Sequence, residues 1–154
     1  MQAMGRHDTE RGPADAAYPL IGVKCRLARR ATLSRSMKID SSEFGSITID
    51  GETYCHDVIV RLSGAIEKRK KKLSKKIFGT SHMLSLPEAE FVYEKGSDLL
   101  VLGTGQYDNV RLSPGAADFF ARKGCRVLAE PTPIAISTFN RAKGRKIGLF
   151  HVTC

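Results

Sequence analysis

A chain of 154 residues falls within the range of one domain and is long enough to bury a core without disulfide staples. A composition that is 42% hydrophobic and 27% charged excludes a chain disordered throughout, and no run approaches the roughly 18 apolar residues of a membrane span. The net charge of +9 sits in two places: residues 1–36 hold seven Lys and Arg against Asp8, Glu10 and Asp15, and residues 61–76 hold eight against Glu67. What is left is slightly acidic, so an electrostatic argument for nucleic-acid binding applies to those two segments and not to the whole domain.

Residues 1–17 mix Gly, Pro, Ala and charged residues without periodicity and are expected to be a flexible tail. From Tyr18 to Arg35, Leu20, Val23 and Leu27 recur at helical spacing among Lys24, Arg26, Arg29 and Arg30. This weak basic amphipathic pattern fits an unstructured extension, a surface anchor or an organelle presequence, the last opposed by the acidic residues upstream. The expected organisation is a flexible basic extension over 1–36 and a single α/β domain over 37–154. Cys25, Cys55, Cys125 and Cys154 are widely spaced, with no Cys-x-x-Cys pair and no secretory apolar stretch before them. That pattern points to a soluble protein of the reducing cytoplasm.

Within the domain, Ile47-Thr48-Ile49, Asp50-Gly51 and Thr53 to Leu62 predict a β-hairpin, because Asp-Gly supplies the positive φ angles of a tight primed turn. Alternation along its second strand places Tyr54, His56, Val58, Val60 and Leu62 on one face and Cys55, Asp57, Ile59 and Arg61 on the other. Ser85-Leu86-Pro87-Glu88 has the form of a capping box and predicts a helix to about Lys95, stopped by Gly96. A buried strand over Asp98–Leu102 follows, then a helix opened by Ser113-Pro114 and closed by Gly124, a strand over Cys125–Ala129, a helix from Thr132-Pro133 to about Gly144, and a last strand over Ile147–Val152. Helices and strands alternating at short spacing make βαβ units with parallel strands, and the leading hairpin added to them predicts a mixed sheet.

Val101-Leu102-Gly103-Thr104-Gly105, Leu112-Ser113-Pro114, Pro131-Thr132-Pro133-Ile134-Ala135, Phe139-Asn140 and His151-Val152-Thr153-Cys154, taken in order, carry a resemblance. Over about Met37–Cys154 the chain resembles the small α/β family that includes the adipogenesis-associated domain protein and, more remotely, a mitochondrial respiratory complex I assembly factor. The resemblance implies a three-layer fold around a central mixed β-sheet and a family with no established general enzymatic activity or cofactor. The chain departs from its relatives in having no Trp and in carrying a lysine-dense run before His82.

Three features invite a functional reading. Gly103-Thr104-Gly105 follows a strand, where ligands bind in open α/β sheets, with Thr104 and Gly105 as candidate donors to an anion or polar ligand. The third glycine of a dinucleotide fingerprint and the Gly-Lys-Ser/Thr of a phosphate loop are both missing, and the glycines equally serve a sharp corner. Lys68, Arg69, Lys70, Lys71, Lys72, Lys75 and Lys76 put seven cations in nine residues and predict an exposed, mobile or helical insert, either solubilising or a non-specific polyanion or nucleic-acid contact. No interleaved aromatics offer base stacking.

Cys55, His56, His82, His151 and Cys154 are the metal or nucleophile candidates. Strand alternation sends His151 and Cys154 to opposite faces unless the strand frays, so no convergent metal set is expected. Cys125 shares its strand face with Val127 and Ala129 and is expected to be buried. These readings add up to a non-catalytic binding or assembly-factor-like module with a protein partner, no cofactor and no catalytic set. The alternatives are a small-ligand enzyme that uses the Gly103–Gly105 corner with His56, His82 or His151 as acid or base, and non-specific polyanion binding through the Lys68–Lys76 run.

Overall fold

A computed structural model describes residues 37–154; the tail and amphipathic readings for residues 1–36 lie outside the described residues. Asp50 and Gly51 take φ angles of 48° and 81°, as a primed turn requires. They join β2 (Ser46–Ile49) to β3 (Glu52–Tyr54), and β1 (Ile39–Glu43) pairs antiparallel with β2, so the hairpin forms a three-stranded sheet of its own. The strand expected over Thr53–Leu62 is two pieces. The chain bends at Cys55–Asp57 and resumes as β4 (Val58–Val60), which joins the main sheet. The bend exists because Asp57, 1% exposed, turns its carboxylate inward to several donors instead of continuing a ladder.

The remaining elements are β5 (Ile66–Lys68), α1 (Lys72–Phe78), β6 (Met83–Leu84), α2 (Leu86–Val92), β7 (Leu99–Thr104), β8 (Arg111–Leu112), α3 (Pro114–Arg122), β9 (Arg126–Glu130), α4 (Thr132–Arg141) and β10 (Lys146–His151). The main sheet runs β5-β4-β10-β7-β9. It is mixed because β7, β9 and β10 are parallel while β4 is antiparallel to both β10 and β5. From β7 the chain crosses outward through α3 to β9, then back over β7 through α4 to β10. Keeping one hand for both crossovers requires the two helices to lie on opposite faces.

The core shows this division. Val101, Phe150 and Val152 pack with Ala135, Ile136 and Phe139 of α4 and with Ile39, Ile47 and Ile49 of the small sheet. Leu100, Leu102 and Leu149 pack with Ala89 and Val92 of α2 and Ala116 and Phe120 of α3. This is the expected three-layer α/β architecture, and the unbroken burial of β7 from Leu99 to Thr104 is that of a strand covered on both sides. Among the described residues no helix is long and apolar enough to cross a membrane.

Local signals set the helix starts. Ser85 accepts the Glu88 N–H at 3.3 Å and Ser113 accepts the Ala116 N–H at 3.2 Å, each followed by a proline in the first turn. α2 stops at Val92, short of Lys95, because Tyr93 is already extended. The Glu88 carboxylate does not reach back to close a capping box; it is committed elsewhere.

Candidate functional site

Arg69 is 4% exposed, whereas Lys68, Lys70, Lys72, Lys75 and Lys76 around it face outward. The expectation of an exposed insert therefore fails at this residue. The guanidinium Nε donates to Glu88 Oε1 at 2.5 Å and Nη2 to Glu88 Oε2 at 3.3 Å, a two-pronged pairing that only a planar fork can make. Nη2 also donates to the Ser81 carbonyl at 2.8 Å and Nη1 to Asp57 Oδ2 at 3.2 Å. Lys71, half-buried, places its ammonium 3.3 Å from the same Asp57 oxygen. Ser74 of α1 donates to Glu88 and accepts the Ser85 N–H at 2.9 Å. The lysine-rich segment is thus an ordered helix held to α2 by buried polar contacts.

The network continues to the end of the sheet. Asp57 Oδ1 accepts the Val152 N–H at 3.0 Å, and Oδ2 accepts from His151 Nδ1 at 2.6 Å. Burial pushes the Asp57 carboxyl up, but the hydrogen bond from His151, the Val152 N–H and the Arg69 charge outweigh it and hold the group well below the usual carboxylate range. Asp57, Glu88 and Arg69 are all buried, so each of their charges finds its partner inside the protein.

With Nδ1 turned to Asp57, His151 Nε2 lies 3.1 Å from Thr153 Oγ1, and the ring centroids of His151 and His82 are 5.6 Å apart. His82 Nε2 is 3.5 Å from Cys154 Sγ. β10 ends at His151, so strand alternation no longer governs Cys154, which curls back toward His82. The expected divergence of His151 and Cys154 is therefore reversed: ligand atoms of His82, His151 and Cys154 all lie within 4.8 Å of one another. His56 stays outside this group, edge-on to Tyr54. Its Nδ1 lies 3.0 Å from the Asp57 carbonyl, and its Nε2 is buried with no hydrogen-bond partner among the described residues. Cys125 is 3% exposed, and burial, ahead of the Ser97 and Asp98 contributions, leaves its thiol with a raised pKa.

The Gly103-Thr104-Gly105 corner forms the floor of this cluster. Gly105 donates to Thr132 Oγ1 at 2.9 Å and its carbonyl accepts the Thr132 N–H at 3.0 Å, so one threonine clasps the residue on both sides. The Gly105 amide is engaged and is not turned toward an open anion site. The Thr104 hydroxyl donates to Asp108 at 2.6 Å. Gly105 has φ +105°, and a Cβ there would lie 2.6 Å from the Cys154 carbonyl carbon and 2.9 Å from His151 Cδ2. Only glycine lets the Cys154 segment fold over β7. Gly105→Ala is expected to cost about 1–3 kcal/mol through backbone strain, read in a urea unfolding curve. It should also raise the reactivity of Cys154 toward a thiol reagent by displacing that segment.

Residues 39–150 match the model of a family described as protein of unknown function (DUF498/DUF598). The chain belongs to the DUF498/DUF598 family. Among solved structures it is similar to conserved hypothetical protein PH1505 from Pyrococcus horikoshii OT3, at 36% identity and TM-score 0.71, over 76% of this chain and 99% of that one. It is also similar to the protein titled MT938, at 30% identity and TM-score 0.65, over 77% and 100% of the two chains. A Bordetella pertussis protein described as a Mth938-like domain shares the fold at 15% identity and TM-score 0.54, over 80% and 90%. The DUF498/DUF598 match spans nearly all of the described fold, including β7, the Gly103–Gly105 corner and Asp57. Sequence reasoning missed Asp57, Glu88, Ser74 and Thr132 as site residues. One signal was present: Arg69 is a lone arginine among six lysines, and arginine is the cation suited to a buried two-pronged pair.

Proposed function

We propose that this DUF498/DUF598 domain is a non-catalytic binding module of the assembly-factor type, which engages an acidic, amphipathic segment of a protein partner through α1. One observation carries the reading. Lys72, Lys75 and Lys76 face outward on α1 beside Ile77 and Phe78, which are 54% and 43% exposed at the end of the same helix. Leu86, also exposed, opens α2, the helix that Ser74 of α1 meets through Ser85. A solubilising insert needs charge alone, and large apolar side chains left in water beside it are the mark of a contact surface. The remote resemblance to a mitochondrial respiratory complex I assembly factor supports the same reading, as does the commitment of the buried Asp57, Glu88 and Arg69 to one another.

The test is affinity capture from native lysate with nuclease treatment, comparing the unaltered chain with an Ile77→Ser/Phe78→Ser variant and with Phe44→Ser, 63% exposed elsewhere, as control. The expected result is a nuclease-resistant partner retained by the chain and by Phe44→Ser and reduced at least tenfold by the double variant, with thermal melting unchanged. Capture of only nuclease-sensitive material, or equal capture by all three, contradicts the proposal. The polyanion alternative predicts a different signature. If Lys68, Lys72, Lys75 and Lys76 all met duplex DNA, log affinity would fall against log salt with a slope of about −3.6.

A further inference from the structure

We propose that His82, His151 and Cys154 form a three-ligand binding site for a borderline-soft divalent metal of the zinc class, at the carboxyl ends of β7 and β10. The proposal is independent of the α1 docking surface. Three observations carry it.

The first is convergence. In a tetrahedral site with bonds of about 2.0–2.3 Å, ligand atoms sit roughly 3.3–3.8 Å apart. The His82 Nε2 to Cys154 Sγ separation of 3.5 Å is already in that range, and all three ligand atoms fall within 4.8 Å of one another. Small rotations of half-buried His82 and Cys154 side chains close the remainder, with buried His151 as the fixed member.

The second is the outer shell. His151 Nδ1 donates to Asp57 Oδ2 at 2.6 Å, which leaves the Nε2 lone pair as the one turned toward the cluster. The Thr153 hydroxyl, 3.1 Å from Nε2, occupies that lone pair until a metal replaces it. A carboxylate holding the far nitrogen of a ligating histidine is the arrangement that fixes tautomer and raises basicity at metal sites. Asp57 is itself held by Arg69, Lys71 and the Val152 N–H, so the histidine is aimed by a rigid network.

The third is chemical type. One thiolate with two imidazoles suits zinc and cobalt and is a poor set for magnesium or calcium, which take oxygen ligands. Three protein ligands leave the fourth position for water or for a group brought by a partner.

The full chain, stripped with chelator and kept reduced, is titrated with Co²⁺ and then competed with Zn²⁺. Expected is saturation at one equivalent, with a thiolate-to-cobalt charge-transfer band and visible bands of tetrahedral intensity, both discharged by Zn²⁺. Cys154→Ser should abolish the charge-transfer band, and His82→Ala should weaken Co²⁺ binding at least tenfold. Because neither residue is in the buried core, melting curves of both apo variants should overlay the parent. Absence of saturable binding, or a charge-transfer band that survives in Cys154→Ser, overturns the proposal. If either apo variant melts early, the unaltered chain gives the second arm: one equivalent of Zn²⁺ should protect Cys154 from a thiol reagent, read by peptide mapping, and unchanged labelling of Cys154 overturns the proposal.

Discussion

Replacing Arg69 by Met is expected to lower the stability of the domain by about 3–5 kcal/mol, the usual cost of removing one partner from a buried ion pair. Glu88 and Asp57 would then be left as neighbouring carboxylates with no guanidinium, both inaccessible to water. For a fold of this size the loss corresponds to a fall of roughly 10–20 °C in Tm. Arg69→Lys should recover only part of it. An ammonium restores charge, but it cannot hold both Glu88 oxygens while also reaching Asp57 Oδ2 and the Ser81 carbonyl. Thermal melting of both variants against the parent decides this. A change within about 0.5 kcal/mol for Arg69→Met, as at an ordinary surface position, would mean that Arg69 is not buried in solution.

Asp57→Asn is expected to cost about 3 kcal/mol near neutral pH and also to change the shape of the acid limb. The folded carboxyl is held below its unfolded value: its burial, which works the other way, is outweighed by His151, the Val152 N–H and Arg69. Its contribution to stability is therefore complete above an unfolded pKa of about 3.9 and is lost as pH falls from there through the folded value. The parent should lose stability steeply below about pH 4, whereas Asp57→Asn, lower at pH 7, should fall less steeply over the same interval. Urea unfolding at a series of pH values from 7 downward measures both. Parallel acid limbs would show that Asp57 does not titrate with folding.

What was legible in the sequence was local. The Asp50-Gly51 turn, the Ser85 and Ser113 caps and the continuous apolar run of β7 each depend on a few neighbouring residues, and each appears where it was expected. The hairpin's place was not legible, because whether β3 continues into β4 depends on what Asp57 meets. Its partners, Arg69, His151 and Val152, lie 12 to 95 residues away. Arg69 was hidden for the same reason: charge density along the chain describes the run as a whole and cannot pick out one member with two carboxylates waiting inside. At the candidate site, alternation correctly describes β10 up to His151 and then ceases, since Cys154 lies beyond the last paired residue. The glycine corner was placed correctly as architecture. Its use as the floor beneath His151 and Cys154 required knowing that Thr132 clasps Gly105.

The lysine-rich segment is an anchored helix, held from within by Arg69 and Ser74, and amide hydrogen exchange of the full chain reads that anchoring. The Lys75 and Gly79 amides, bonded to the Lys71 and Lys75 carbonyls at 3.0 and 2.9 Å, should be protected in the parent and should lose that protection in Arg69→Met while β7 and β10 keep theirs. Exchange at unstructured-chain rates across residues 70–79 of the parent would contradict the account.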